Sequence, residues 1–95
     1  KRAVPALWFD NPNPRGNNFV KFDGLESDGV TLIDRKTALT TFDKQIQSIR
    51  RVSSALEQNS GFKAVFEFPN QQAADRALDI LLERNITNIT VRVAK

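Results

Sequence analysis

Two short apolar runs around a polar turn stand out between Phe19 and Lys36: Phe-Val-Lys-Phe-Asp-Gly, Leu-Glu-Ser-Asp, then Gly-Val-Thr-Leu-Ile-Asp-Arg-Lys. Runs of this length bounded by Gly and Asp predict strands over about Phe19–Asp23 and Val30–Arg35, with Asp28-Gly29 in the turn between them. Side chains alternate across a strand, so Val30, Leu32, Asp34 and Lys36 share one face. That face begins apolar and ends with a carboxylate beside an ammonium. Downstream, Phe42, Ile46, Ile49, Val52 and Leu56 recur at the 3-and-4 spacing of a core-facing helical stripe. The predicted helix starts at Thr40 or Thr41, with Asp43 completing a capping-box pattern, and stops at Asn59-Ser60-Gly61.

Phe62, Ala64, Phe66 and Phe68 then alternate with Lys63, Val65 and Glu67, predicting a strand that Pro69 ends. Asn70 is placed to cap a second helix, with Ala73, Ala74, Ala77, Leu78, Leu81 and Leu82 as its buried stripe. Asn85 ends that helix, and Ile89, Val91 and Val93 form the inner face of a last strand. The order β-β-α-β-α-β implies an α/β (α+β) fold, a mixed sheet with flanking helices, because parallel crossovers need covering helices. Residues 1–18 read as a lead-in in which Pro12, Pro14 and Gly16 forbid a regular helix or central strand, and 19–95 as a single domain. Trp8 and Phe9 are expected to pack the lead-in onto the core, with Trp8 stacking on a base as the alternative. Arg15, Asn17 and Asn18 read as a solvated loop. Asn-Ile-Thr at 85 and 88 matches the glycosylation pattern, but its places at a helix end and a strand start favour chance.

Composition narrows the chemistry further. Ninety-five residues with 40% hydrophobic positions and seven Phe suffice for one small core. No apolar run approaches the ~20 residues that span a bilayer. The sequence starts at Lys1 and has no Met, so a piece of a longer protein is expected. Cys, His and Tyr are all absent, which excludes disulfides, thiolate zinc sites, Ser-His or Cys-His nucleophile pairs and His-based ribonuclease chemistry. Catalysis would rest on Asp, Glu, Lys, Arg, hydroxyls and amides, and oxygen-only ligands favour Mg²⁺ or Mn²⁺. The net charge of +3 is a mild bias toward polyanions.

Asp-x-Lys at 34 and 36 is a common pattern by itself. Three features add to it: Asp23 ends the preceding strand and can approach Asp34 if the strands pair; Val30, Leu32 and Ile33 bury the base of the group; and a helix carrying Gln45 and the Arg50-Arg51 pair follows at once. Two carboxylates and a lysine at the edge of an apolar sheet suggest a metal-dependent phosphodiesterase site. Lys21, Lys44, Arg50 and Arg51 are candidate phosphate-backbone contacts.

Phe-Asp-Gly, a polar turn, then Gly-Val-Thr-Leu-Ile-Asp-Arg-Lys resembles the PD-(D/E)xK, restriction-endonuclease-like superfamily. Within it the chain is similar to the nuclease toxin domains at the C-termini of contact-dependent growth inhibition and related polymorphic toxins. The resemblance spans roughly Asn18 to Val93. It implies Asp23 and Asp34 as metal-binding acids, Lys36 as the lysine that positions or activates the attacking water, and Gln45 as a helix glutamine present in some branches. It implies a divalent cation, Mg²⁺ or Mn²⁺, held by Asp23, Asp34 and the carbonyl of Arg35. It also implies a cognate immunity protein, and delivery on a larger secreted carrier into the cytoplasm of a neighbouring bacterium. Many members add an acidic residue from an upstream helix, which residues 1–18 do not supply. Either that helix lies outside this stretch of sequence, or Glu26 or Asp28 compensates, or this branch does without it; turn chemistry is the favoured reading of Glu26 and Asp28.

The expected function is thus a metal-dependent endonuclease toxin, with tRNA favoured because the stretch around Phe-Val-Lys-Phe-Asp-Gly looks most like the RNA-cleaving branch. A DNase of the same fold and a non-catalytic nucleic-acid-binding module are the competing readings. The latter is disfavoured because the Phe residues fall on faces that read as buried.

Overall fold

A computed structural model describes residues 4–12 and 15–94; Pro14, expected as a chain breaker, and the outermost residues of the expected lead-in and domain lie outside them. The elements run β1 (Ala6–Trp8), β2 (Phe19–Lys21), β3 (Gly24–Leu25), β4 (Thr31–Arg35), α1 (Asp43–Gln58), β5 (Lys63–Phe68), α2 (Gln71–Glu83) and β6 (Ile89–Val93). This is a mixed α+β architecture with two sheets, β1-β2 and β3-β4-β5-β6. The pairs β1/β2 and β3/β4 are antiparallel, whereas β4/β5 and β5/β6 are parallel.

The two helices return the chain between neighbouring parallel strands, and both pack on one side of the larger sheet. Ile49, Val52, Ala55 and Leu56 of α1 and Ala74, Ala77, Ile80 and Leu81 of α2 share one buried cluster with Leu32, Ala64, Phe66 and Phe68. The alanines of α2 allow a close approach to the strands. The other side of the sheet carries Arg35, Glu67 and Arg92, linked across β4, β5 and β6 by ion pairs of 3.3 Å and 2.8 Å.

The lead-in contributes more than packing. Ala6–Trp8 pairs with Phe19–Lys21 as a strand, placed before the breakers at Pro12 and Gly16. Phe9 is buried, as expected, but Trp8 is 68% exposed, because the alternation that turns Leu7 and Phe9 inward turns Trp8 outward.

The expected single strand over Phe19–Asp23 is divided. The N–H of Phe22 donates to Pro5 O at 2.8 Å, while the N–H of Asp23 donates to Ile33 O at 2.9 Å. Successive amides thus bond opposite neighbours, and the chain leaves the small sheet and joins the large one at Asp23.

Helix α1 begins later than the Thr40–Asp43 box predicts. Its N-cap is Phe42, extended at φ −62°, ψ 142°, with no side-chain cap hydrogen bond. Leu39 is drawn into the core, which keeps the preceding chain extended and leaves Phe42 76% exposed instead of core-facing. Asn70 does cap α2, accepting from the N–H of Ala73 at 2.8 Å. That helix is rotated relative to the expected stripe: Ile80 is buried, while Leu78 and Leu82 face outward. Asn85 ends the segment at φ 58°, a left-handed conformation that Asn tolerates better than most residues.

Candidate functional site

The antiparallel register places Gly24 opposite Ile33, so the next step outward sets Asp23 across from Asp34. The two carboxyl groups lie within hydrogen-bonding reach of each other. Asp23 Oδ2 also accepts from the main-chain N–H of Arg35 at 2.7 Å. Lys36 Nζ stands 3.0 Å from Asp34 Oδ2 and 4.8 Å from the centre of the Phe66 ring. The N–H of Lys36 donates to Glu67 O at 2.9 Å, which continues the β4/β5 ladder and fixes the backbone that carries the ammonium.

The sequence accounts for this arrangement locally. Leu32 points into the core, so Asp34 and Lys36 follow it on the same side at period two. The parallel register puts Phe66 beside Asp34, and the fully buried ring forms the floor beneath Lys36. Arg35 alternates to the opposite side, where its guanidinium meets Glu67 and leaves only its N–H for Asp23.

The two carboxyls are electrostatically unequal. The Arg35 N–H is the main cause holding Asp23 below the ordinary aspartate range, with the neighbouring Asp34, Arg35 and Lys36 adding to it. Burial pushes Asp34 up, and the nearby Asp23 adds to that rise, while Lys36 opposes it. A pair of adjacent carboxyls with one ionised readily and the other reluctantly is the pattern like charges impose on a shared site.

The upstream acids are otherwise engaged. Asp28 Oδ1 accepts from the N–H groups of Val30 and Thr31, both at 2.9 Å, and its Oδ2 accepts from the Thr31 hydroxyl at 2.6 Å. This is turn chemistry, as expected. Glu26 pairs with Arg92 across the sheet. Among the described residues no group of three or more His, Cys, Asp or Glu side chains converges, so Asp23 and Asp34 stand as a pair.

Gln45 lies in the first turn of α1, partly buried, and is not part of the hydrogen-bonded group of Asp23, Asp34 and Lys36. Lys44, Arg50 and Arg51 fall together on one flank of α1. With Arg15, Gln47 and Ser48 they line a cleft of about 510 Å³ between the helix and the segment that follows β1. The buried Nε of Arg51 has no hydrogen-bond partner there. Lys21 lies apart from this cleft, exposed on β2, its Nζ 5.6 Å from the centre of the Phe19 ring.

Three contributors escape a reading of the sequence. Phe66 is legible as a core residue, but only the β4/β5 register reveals it as the support for Lys36. Arg15 joins the cationic cleft because the loop folds back along α1. The Trp8–Phe19 pair, with ring centres 5.2 Å apart, depends on a strand pairing that the Pro-rich context obscures. The expectation that every aromatic is packed away fails at Trp8, at Phe42 and, in part, at Phe62.

No protein-family model, no curated protein and no solved structure matches this chain.

Proposed function

We propose that this chain is a metal-dependent nuclease that hydrolyses phosphodiester bonds. The observation that carries the reading is the adjacency of Asp23 and Asp34 with the Lys36 ammonium 3.0 Å from Asp34. Two carboxyls that lie this close, in a chain without His or Cys, form a hard oxygen donor set that fits Mg²⁺ or Mn²⁺. Asp23 and Asp34 would hold the ion, with the Arg35 carbonyl as a further oxygen. When bound, a divalent cation lowers the pKa of a coordinated water and offsets charge on the phosphate.

The chain's own groups do the rest. The Arg35 N–H keeps Asp23 ionised and fixes its orientation. Asp34, half-buried and reluctant to ionise alone, is turned toward the same point by its place on β4. Lys36, held between Asp34 and the Phe66 ring, presents a fixed positive charge to the phosphate as negative charge builds. The cationic cleft on α1 provides a separate surface for the substrate backbone.

The resemblance of Phe22-Asp23-Gly24 and Asp34-Arg35-Lys36 to the polymorphic-toxin nucleases supports RNA, tRNA in particular, as the substrate. It likewise supports action inside a neighbouring bacterium and inhibition by a cognate immunity protein. The test is incubation of the purified chain with tRNA and, separately, with plasmid, in Mg²⁺ or Mn²⁺, in EDTA, and as Asp34→Ala. Cleavage of tRNA that needs both the metal and Asp34 is expected. Cleavage of plasmid alone would move the substrate to DNA, and a folded protein that cuts neither overturns the reading in favour of a binding module.

A further inference from the structure

The β1–β2 ribbon has two unlike faces. Leu7, Phe9 and Val20 enter the core, and Ala6, Trp8, Phe19 and Lys21 face the other way. Trp8 and Phe19 are direct cross-strand partners, with ring centres 5.2 Å apart and planes at 48°. The Lys21 ammonium reaches the same Phe19 ring. A tryptophan kept for packing buries most of its large surface, yet this one is 68% exposed, and it is the only Trp in the chain.

The backbone that carries the exposed ring is tied down on both sides of it. Asn59 Nδ2 donates to Trp8 O at 2.8 Å and to Ala55 O at 2.7 Å, tying the strand to the end of α1. The N–H of Phe9 donates to Asn18 O at 2.9 Å, closing the ribbon next to Trp8. A solvent-facing aromatic pair on an anchored ribbon, with a cation beside it, has the parts of a stacking surface for a base and its phosphate.

We propose that the outward face of Trp8, Phe19 and Lys21 is a platform on which an unpaired base of a single-stranded nucleic acid stacks. The cation at Lys21 selects a polyanion over an apolar partner. Single strands are selected because the faces of paired bases are already stacked on one another. The proposal deepens the nuclease reading and rests on it in one respect, the path of the strand. From Phe19 the backbone runs through Lys21, the end of β2, to Asp23, where the chain bends and joins the larger sheet. A strand laid along it places a base on the rings, a phosphate at Lys21 and a later phosphate at Asp23 and Asp34. The site would therefore cut an unpaired segment, a loop or an end, and leave duplex intact.

Trp8 reports on this directly, since the chain has no other Trp and no Tyr. The full chain is titrated in EDTA, so that nothing is cut, with a single-stranded oligouridylate and with a duplex RNA of equal length, while Trp emission is followed. Anisotropy of the labelled oligouridylate is measured in parallel for wild type, Trp8→Ala and Trp8→Phe, each checked for native far-UV circular dichroism. Saturable quenching by the single strand is expected, with little by the duplex. Trp8→Ala should weaken binding on the order of 10- to 100-fold, and Trp8→Phe only a few-fold. Unchanged emission on binding, equal affinity of Trp8→Ala, no binding of the oligouridylate, or equal quenching by polyglutamate each overturns the platform. Quenching by the oligouridylate in a protein that cuts neither tRNA nor plasmid in Mg²⁺ or Mn²⁺ retains the platform and overturns the nuclease reading; cleavage of either without quenching does the reverse.

Discussion

The ammonium of Lys36 rests 4.8 Å above the centre of the fully buried Phe66 ring. The ring face attracts the cation, and its bulk leaves the lysine stem few other places to lie. Phe66 thereby sets where the positive charge sits relative to Asp34. Replacing it by Leu keeps an apolar core side chain but removes the ring face. Phe66→Leu is expected to cost about 1–2 kcal/mol of stability. It should lower kcat for nucleic-acid cleavage roughly tenfold and leave KM within about twofold. Steady-state kinetics beside a thermal melt checks this, and an equal fall in both constants would deny Phe66 a positioning role.

Asp23 and Asp34 should respond with opposite sign to loss of charge. Asp34 has a raised pKa, so its ionised form weakens the fold at neutral pH. Asp34→Asn should then raise Tm at pH 7, and the gain should shrink as pH falls through the raised value and vanish below the ordinary 3.8. Asp23 has a lowered pKa, so its carboxylate adds stability above 3.8 that is lost as pH falls through the lowered value. Asp23→Asn should lower Tm at pH 7, and this deficit too should disappear in acid. Melts of the three proteins from neutral pH into acid test both signs. Activity should vanish in both variants, so Asp34→Asn would be more stable and inactive.

Periodicity made both helices, the β4 and β5 strands and the β6 strand legible, because each buries one face and its spacing says so. Asp23 opposite Asp34 was legible for the same reason, since a hairpin of alternating residues fixes which side chains meet. What stayed hidden depends on contacts between distant segments. Leu39 delays the start of α1, and the packing of α2 turns Ile80 in and Leu78 out. The division at Asp23 arises because that residue bonds β4 while Phe22 bonds the chain ahead of β1. None of these is a local propensity. The exposed Trp8 follows from a strand register, which a Pro-rich sequence conceals.

The cleft on α1 should contribute affinity without reading sequence. Lys44, Arg50 and Arg51 line it beside Arg15, and among the described residues no acidic side chain lines it. Lys44→Gln and Arg50→Gln should each weaken binding of an uncut oligonucleotide about equally for all sequences. Each should also reduce the slope of log K against log salt by about 1. Salt titrations followed by anisotropy test this. An unchanged slope in both variants would place the nucleic acid elsewhere on the surface.

A divalent ion should stabilise the folded chain through the Asp pair. Without it, one carboxyl ionises against its neighbour and against burial, and a cation held between them relieves both costs. Binding to the folded state alone adds about 2.7 kcal/mol when the free ion is one hundred times its Kd. For a chain of this size that is a rise in Tm on the order of 10 °C. Mn²⁺ titrated into the protein should therefore raise Tm progressively, and EDTA should reverse it. Asp34→Ala should lose the response, while Asp28→Ala, altered in a carboxylate spent on its own turn, should keep it. A response equal in wild type and Asp34→Ala would show that the ion binds elsewhere and would remove the metal from the proposed chemistry.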